Sequence, residues 1–333
     1  MISIVVPAHN EERNIALLHA RVSTQMQVQI GAWEGSDWEL VIVDDGSSDD
    51  TWARVTALAA ADSRVRGVRL SRNFGHQNAL LAGLAAARGE AVISMDADLQ
   101  HPPEVLPLLI QKWREGFQIV HAIRRDSRSL ALSKTLTSRL YYRLFSYLSG
   151  VHIEPGAADF RLLDRQVLDE ILKFREEGLF LRGIVHWVGY ATAAVPFDCC
   201  ERHSGASSYD VRKMLRLAWY GISSFSLVPL RIAVVIGLAA STLSLLGVSY
   251  AILGWWLDRA VVPGWASSLA IMSVLFGLLF VVLAILAEYL GRIVVEVRGR
   301  PRFLVRETAG AVLRPRNRAH LQSAAPTDVR TGT

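Results

Sequence analysis

Two long stretches without a charged side chain govern what this chain can become. Residues 232–257 read IAVVIGLAASTLSLLGVSYAILGWWL and residues 265–287 read WASSLAIMSVLFGLLFVVLAILA, 26 and 23 residues. A helix needs about 20 apolar residues to cross a bilayer. Buried helices of soluble cores normally carry polar interruptions, so both runs are expected to span a membrane. The connection, DRAVVPG at 258–264, is short and holds Pro263 and Gly264, which makes the pair a helical hairpin. Arg212, Lys213, Arg216 and Arg231 precede it and Arg292, Arg298, Arg300, Arg302 and Arg306 follow it, against Arg259 alone in the connection. The positive-inside rule then puts both flanks in the cytoplasm. Trp255, Trp256 and Trp265 fall where an aromatic belt would sit.

The region before Tyr209 has a different pattern. Short apolar, β-branched runs at 2–7 (ISIVVP), 38–44 (WELVIVD), 65–70 (VRGVRL) and 90–96 (EAVISMD) read as strands. Helical segments of about 11–28, 50–62, 76–88 and 103–115 alternate with them. Such alternation predicts an α/β domain with a mostly parallel sheet and helices on its faces. Ligands of these sheets bind beyond the carboxyl ends of the strands, and there the chain places AHNEE, DDGSSDD, SRNFGHQ and DADLQ. Four polar loops on one edge make a site. The net charge of +5 over 333 residues is modest and well mixed before residue 200, which excludes a nucleic-acid binder that lives on phosphate contacts. The two cysteines, Cys199 and Cys200, are adjacent and lack metal-ligand spacing, so a reducing compartment is expected. MISIVVPAHNEE has none of the parts of a secretory signal, and the polar tail 317–333 reads as disordered.

Each motif has a chemical and a structural reading. Asp96 and Asp98 flank Ala97 at a strand end; in extended backbone they share a face and aim at one point. Two carboxylates so close call for a cation, and hard oxygen ligands favour Mg²⁺ or Mn²⁺, with Gln100 as a third oxygen donor. The competing reading is a turn or cap before Pro102 and Pro103. Asp44 and Asp45 precede Gly46, and one of them can accept from a nucleobase or ribose, while Ser47 to Asp50 suit a helix cap. In VVPAHNEER, Asn10 reads as the N-cap of a helix starting near Glu12, or the stretch forms a wall for a flat base. Asp159, in GAADFRLLDR, is either a catalytic-face carboxylate or the partner of Arg161. Arg202 and His203, in ERHSGASSY, read as a basic loop that closes on phosphates or as a linker. The segment 124–148 carries basic and apolar positions at helical spacing, for a membrane surface or for the core.

Taken together, VVPAHNEE, VDDGSSDDT, SRNFGHQ, MDADLQHPP, ADFRLLDR, RHSGASSY, SFSLVPLR and EYLGRIVVEVRGRPRF resemble glycosyltransferase family two, and within it the polyprenyl-phosphate glycosyltransferases. The resemblance covers about residues 2 to 304. It implies a GT-A type, Rossmann-like nucleotide-sugar domain at 1–208 and a juxtamembrane amphipathic helix at 209–231. Two transmembrane helices at 232–257 and 265–287, within 232–290, then lead to a cytoplasmic segment at 291–316. It further implies that Pro7, His9, Glu11, Asp44, Asp45 and Asp96 hold the nucleotide sugar, and that Asp96, Asp98 and Gln100 hold Mg²⁺ or Mn²⁺. Asp159 and Asp98 would be catalytic, and Arg202 and Arg231 would meet phosphates. One departure is Ser208, where the family usually has lysine in Gly-x-Ser-Lys-Tyr. The Gln-x-x-Arg-Trp signature of processive synthases is absent, so one sugar per reaction is expected. The implied reaction is inverting transfer of a hexose, glucose from UDP-glucose first, to undecaprenyl phosphate at the cytoplasmic face of the bacterial plasma membrane. Mannose from GDP-mannose, an amino-arabinose donor, and a non-enzymatic membrane scaffold are the alternatives. A homo-oligomer, a tetramer by family analogy, is implied, and no nucleic-acid partner.

Overall fold

A computed structural model describes residues 1–31, 37–124, 157–174, 176, 181–198, 228–256 and 264–310. Arg202, the loop 201–209 with Ser208, Cys199 and Cys200, residues 125–148 of the basic amphipathic segment and the tail 317–333 lie outside the described residues. The described residues form two units: those up to 198 together with 299–310, and a helical pair between.

The first unit is built on an eight-stranded sheet. Its elements are β1 (Ile2–Ala8), α1 (Ile15–Gly31), β2 (Trp38–Asp44), α2 (Thr51–Ala61), β3 (Val65–Leu70), α3 (His76–Ala86) and β4 (Ala91–Ser94). A 3₁₀ turn at Pro103–Val105 precedes α4 (Leu106–Arg114), β5 (Ile119–Arg124), β6 (Ala157–Asp164), α5 (Arg165–Lys173), α6 (Leu181–Trp187), β7 (Thr192–Phe197) and β8 (Val305–Ala309). The strand order is β7-β5-β6-β4-β1-β2-β3-β8. Strands β1 to β4 are mutually parallel; β6 runs antiparallel to both β4 and β5, and β8 antiparallel to β3. The mostly parallel α/β architecture read from the sequence is therefore the observed one. All seven residues of β1 and of β2 are buried, as in strands covered on both faces, and their apolar runs are broken only by Ser3, Glu39 and the terminal Asp44. Helix α3 lies so close to them that a Cβ on Gly83 would stand 2.3 Å from Val5 Cγ1 and 2.9 Å from Val43 Cγ2. The chain leaves β1 for β2 on one side and returns to β4 on the other. That reversal opens a crevice at the carboxyl ends of β1 and β4.

Three local expectations give way. Helix α1 begins at Ile15, not near Glu12, and Asn10 is no N-cap: it stands outside the helix with φ 59°. Strand β4 ends at Ser94, so Asp96 and Asp98 lie in the turn beyond it rather than on extended backbone, and Leu99 between them and Gln100 has φ 62°. The third is β8, an unforeseen strand of five residues. It pairs through its backbone at the sheet edge, so VRETA needed no apolar alternation to announce it.

The second unit consists of α7 (Val228–Trp256) and α8 (Trp265–Arg298), packed on each other. Both are long and apolar enough to cross a membrane by length and composition. Their apolar side chains are outside, with Leu246 63%, Tyr250 80% and Phe280 66% exposed, where a soluble core helix would bury them. Helix α8 runs well past Ala287, to Arg298. Arg231 is exposed in the first turn of α7.

Candidate active site

The loops after β1, β2 and β3 are tied to one another before any of them can offer a group to a ligand. Gly46 is required twice over: its φ is 64°, and a Cβ would lie 2.4 Å from the Arg72 carbonyl carbon. This close approach brings the β3–α3 loop onto Asp45, whose Oδ1 accepts from Phe74 N–H at 2.7 Å and Oδ2 from Gly75 N–H at 2.9 Å. Asp45 is 3% exposed. Asp44 is fully buried; its Oδ1 accepts from Ser47 N–H at 2.9 Å, and its Oδ2 lies 3.2 Å from Arg69 Nε in an ion pair without hydrogen-bond alignment. Asn10 reaches across instead of capping: Ser47 Oγ accepts its N–H, and its Oδ1 accepts from Ser48 N–H. Asp49 similarly accepts from Glu12 N–H and Thr51, so DDGSSDDT fastens the first loop more than it caps α2. Asp50, at the N-cap position of α2, makes no side-chain cap.

Pro7 is buried at the end of β1, His9 is exposed beyond it, and Glu11 is half-buried. His9 Nδ1 lies 3.0 Å from the Asp45 carbonyl oxygen and Nε2 3.2 Å from Asn73 Nδ2. Glu11 accepts from Asn14 Nδ2 at 2.6 Å. These residues form the rim over the carboxyl ends of β1 and β2.

Beyond β4, Asp96 faces a cleft. This cleft, of about 490 Å³, is lined by Phe74 to Asn78, Asp96, Asp159 and Arg182. The Asp96 side chain is 34% exposed, yet its Oδ1 is itself buried and accepts no hydrogen bond among the described residues. His76 Nε2 stands between the two cleft acids, 3.6 Å from Asp96 Oδ1 and 3.5 Å from Asp159 Oδ2. The bond to Asp159 raises the His76 pKa; burial opposes this and the Asp96 charge adds to it. Behind Asp96, buried His101 accepts the Asp96 N–H through Nδ1 at 3.0 Å and stacks on Phe160. Burial lowers its pKa, which fits that acceptor role. Asp98 Oδ1 accepts from Gln100 N–H at 3.1 Å, closing the turn; Asp98 and Gln100 are half-buried and stand outside the cleft lining. Among the described residues no three His, Cys, Asp or Glu side chains converge as a finished metal cage.

Asp159 is 4% exposed and collects donors: Arg161 Nη2, Gln77 Nε2 at 2.9 Å, and Arg182 Nε and Nη2 at 3.1 and 3.0 Å. Burial alone would raise its pKa, but the His76 bond and the Arg161 and Arg182 charges hold it well below the ordinary carboxylate range. Asp159 is thus a fixed anion and a poor proton acceptor. The structure unites Asp96 and Asp159, keeps Asp44 and Asp45 inside the fold, and sets Arg231 in the other unit. His76, Gln77 and Arg182 were not singled out by sequence; the first two sit in SRNFGHQ at the same sheet edge, a usable signal, whereas Arg182 had none.

The family model for "Glycosyl transferase family 2" matches residues 3–172. The chain belongs to glycosyltransferase family 2. It is 37% identical over 307 residues to a bactoprenol glucosyl transferase of Shigella phage SfII, covering 92% of this chain and 98% of that one. It is 38% identical over 312 residues to an uncharacterized glycosyltransferase of Synechocystis, covering 93% and 96%. Among solved structures, glucosyl-3-phosphoglycerate synthase from Mycobacterium tuberculosis, in complex with Mn²⁺, UDP and phosphoglyceric acid, aligns with TM-score 0.45 and 22% identity over 66% of this chain and 74% of that one. The family 2 match makes the chain a glycosyltransferase, with the crevice beyond β1 and β4 as its candidate active site.

Proposed function

We propose that this glycosyltransferase moves one hexose, glucose from UDP-glucose, onto the phosphate of a polyprenyl lipid such as undecaprenyl phosphate, with inversion at the anomeric carbon. The carrying observation is the cleft in which the open carboxylate of Asp96 faces Asp159 across His76. The lipid acceptor is taken from relatives such as the phage SfII bactoprenol glucosyl transferase, whose likeness extends over 92% of this chain. Exposed apolar helices α7 and α8 agree with an acceptor that lives in a bilayer.

Pro7, His9 and Glu11 form the rim for the nucleoside, shaped from beneath by Asp44 and Asp45. The Oδ1 of Asp96, which accepts no hydrogen bond among the described residues, with Asp98 and the Gln100 side chain on the adjoining turn, fits a hard divalent cation, Mg²⁺ or Mn²⁺. When bound, that ion would neutralise charge on the departing nucleoside diphosphate. A lipid phosphate is anionic near neutral pH and attacks without a strong base, so Asp159 orients its neighbours instead of taking a proton. Arg202 and Arg231 are proposed to meet the acceptor phosphate. The division into a catalytic domain at 1–208, a juxtamembrane helix at 209–231, two spans in 232–290 and a cytoplasmic 291–316, all on the inner membrane, belongs to this proposal, with β8 returning part of the last segment to the sheet.

The test supplies the full chain in lipid nanodiscs with undecaprenyl phosphate and a panel of radiolabelled UDP-glucose, GDP-mannose and a UDP-amino-arabinose, with and without Mg²⁺ or Mn²⁺. Lipid-extractable glucose that requires the ion is the expected result. Label from another donor alone would change the sugar. No lipid-linked label from any donor would sink the reading.

A further inference from the structure

Asp159 holds two arginines that arrive from different elements. Arg161, its neighbour on β6, is 3% exposed and places Nη2 on Oδ1, which already compensates a buried carboxylate. Arg182 arrives from α6 with a second guanidinium on the same group, Nε to Oδ1 at 3.1 Å and Nη2 to Oδ2 at 3.0 Å. Both guanidiniums converge on one carboxylate at the wall that shares the cleft with Asp96. The two arginines differ in exposure: the Arg161 side chain is 4% exposed, the Arg182 side chain 38% and lining the cleft. The buried one serves the fold. The exposed one faces the cleft.

We propose that Arg182 is an anion-binding residue of the cleft that grips a phosphate oxygen, and that Asp159 is the positioning residue that aims it. The inference rests on the transfer reaction proposed above, which brings two phosphate sources to this cleft: the diphosphate of the donor and the phosphate of the lipid. A two-point clamp on a planar guanidinium fixes an otherwise mobile side chain, so less conformational entropy is lost when a phosphate binds. Leu181, Ile184 and Val185 bury the other face of α6 and fix the base of the side chain. Gln77, at 2.9 Å from Asp159 Oδ2, holds the carboxylate from the α3 side. With Asp159 anionic across the working range, the clamp does not loosen with pH.

The experiment measures binding of UDP with Mg²⁺, and separately of undecaprenyl phosphate, to the full chain in nanodiscs by calorimetry, alongside turnover. In Arg182→Gln one of the two affinities is expected to fall at least tenfold. A UDP loss names the diphosphate as the partner, and an undecaprenyl phosphate loss names the acceptor. Arg182→Lys, which keeps the charge but not the fork, is expected to recover part of that affinity. Asp159→Asn, which keeps the shape but weakens the clamp, is expected to weaken the same ligand. Wild-type binding of both probes with Arg182→Gln within twofold on each overturns the inference and leaves the transfer reaction standing. An Asp159→Asn variant that loses turnover with both affinities intact overturns the positioning role. A wild type that binds neither probe overturns both this and the proposed reaction.

Discussion

Two acidic pairs stand at the carboxyl edge of one sheet and have opposite fates. Asp44 and Asp45 end β2 inside the fold, with 0% and 3% exposure and their oxygens facing Ser47, Arg69, Phe74 and Gly75. Asp96 and Asp98 lie past the end of β4 in a turn, half-buried, and Asp96 Oδ1 accepts no hydrogen bond among the described residues. The difference follows from what the next loop does. Gly46 lets the β3–α3 backbone descend onto Asp45, whereas after β4 the turn through Leu99 carries the chain away and leaves a cleft. What an acid pair at a strand end can offer to a ligand thus depends on which of its oxygens a neighbouring loop already holds.

The largest effect should come from Asp96, the acid of the pair beyond β4 that lines the cleft. Asp96→Asn is expected to lower sugar transfer about 100- to 1,000-fold, the cost typical of removing one group that stabilises developing charge. Its melting temperature should move by no more than about 2 °C, because the side chain is partly exposed and its contacts with His76 and His101 are ion pairs at 3.6 Å and not hydrogen bonds. A variant that melts early but keeps its activity would break the comparison, since Asp96 would then be a structural group.

The closed pair should behave in reverse. Asp45→Asn sets an amide NH₂ against either Phe74 N–H or Gly75 N–H, leaving donors face to face in a buried site. A loss of about 2–3 kcal/mol of stability is expected. Thermal unfolding of the full chain reads it, and the surviving folded fraction should retain UDP affinity within about threefold. Unchanged stability with UDP binding abolished would instead make Asp45 a direct ligand of the nucleotide.

These contrasts bear on what the chain discloses before folding. The parallel α/β plan, the four polar loops and the two apolar helices are legible because strand burial and membrane length impose one-dimensional patterns. Asp44 and Asp96 look alike in sequence because the separating feature, the approach of Arg72 and Asn73 to Gly46, is a contact between segments. Asn10 was misplaced for a related reason: its residue type suits a helix cap, but its side-chain oxygen accepts from Ser48 on another loop. Asp159 could be paired with Arg161 two residues on, yet Arg182 comes from a separate helix with no spacing rule to announce it. Strand β8 pairs by backbone alone, which no side-chain periodicity records.

A titration sharpens the comparison at the closed end of the scale. His121 on β5 is 3% exposed, stacks on His186 at 4.9 Å, and neither ring nitrogen has a hydrogen-bond partner among the described residues. Burial, with the charges of Arg161 and His186, pushes its pKa down to about 3. The unfolded chain takes up a proton near pH 6.5 that the folded chain refuses, so the stability from this site is complete above about pH 6.5. It is lost as pH falls from there toward 3, at no more than about 1.4 kcal/mol per pH unit. In His121→Phe, which keeps a ring on His186 but takes no proton, the acid limb of melting temperature against pH should flatten between 6 and 4. An unchanged limb would assign the acid sensitivity to other groups.

The smallest effect belongs to the edge. Glu307 on β8 accepts from Arg69 Nη1 at 2.8 Å, and the same guanidinium has Nε 3.2 Å from Asp44 Oδ2. The Glu307 side chain is 45% exposed and that of Arg69 24%, so the pair is screened and worth at most about 1 kcal/mol. Glu307→Gln should lower the melting temperature by about 2 °C or less and leave UDP affinity within twofold, since Arg69 stays over Trp52 and beside Asp44. A melting loss as large as that of Asp45→Asn would show that the closed acid pair depends on the strand returning from the second apolar helix. Burial of Asp44 would then depend on the chain beyond the two apolar helices, and not on the β2 and β3 loops alone.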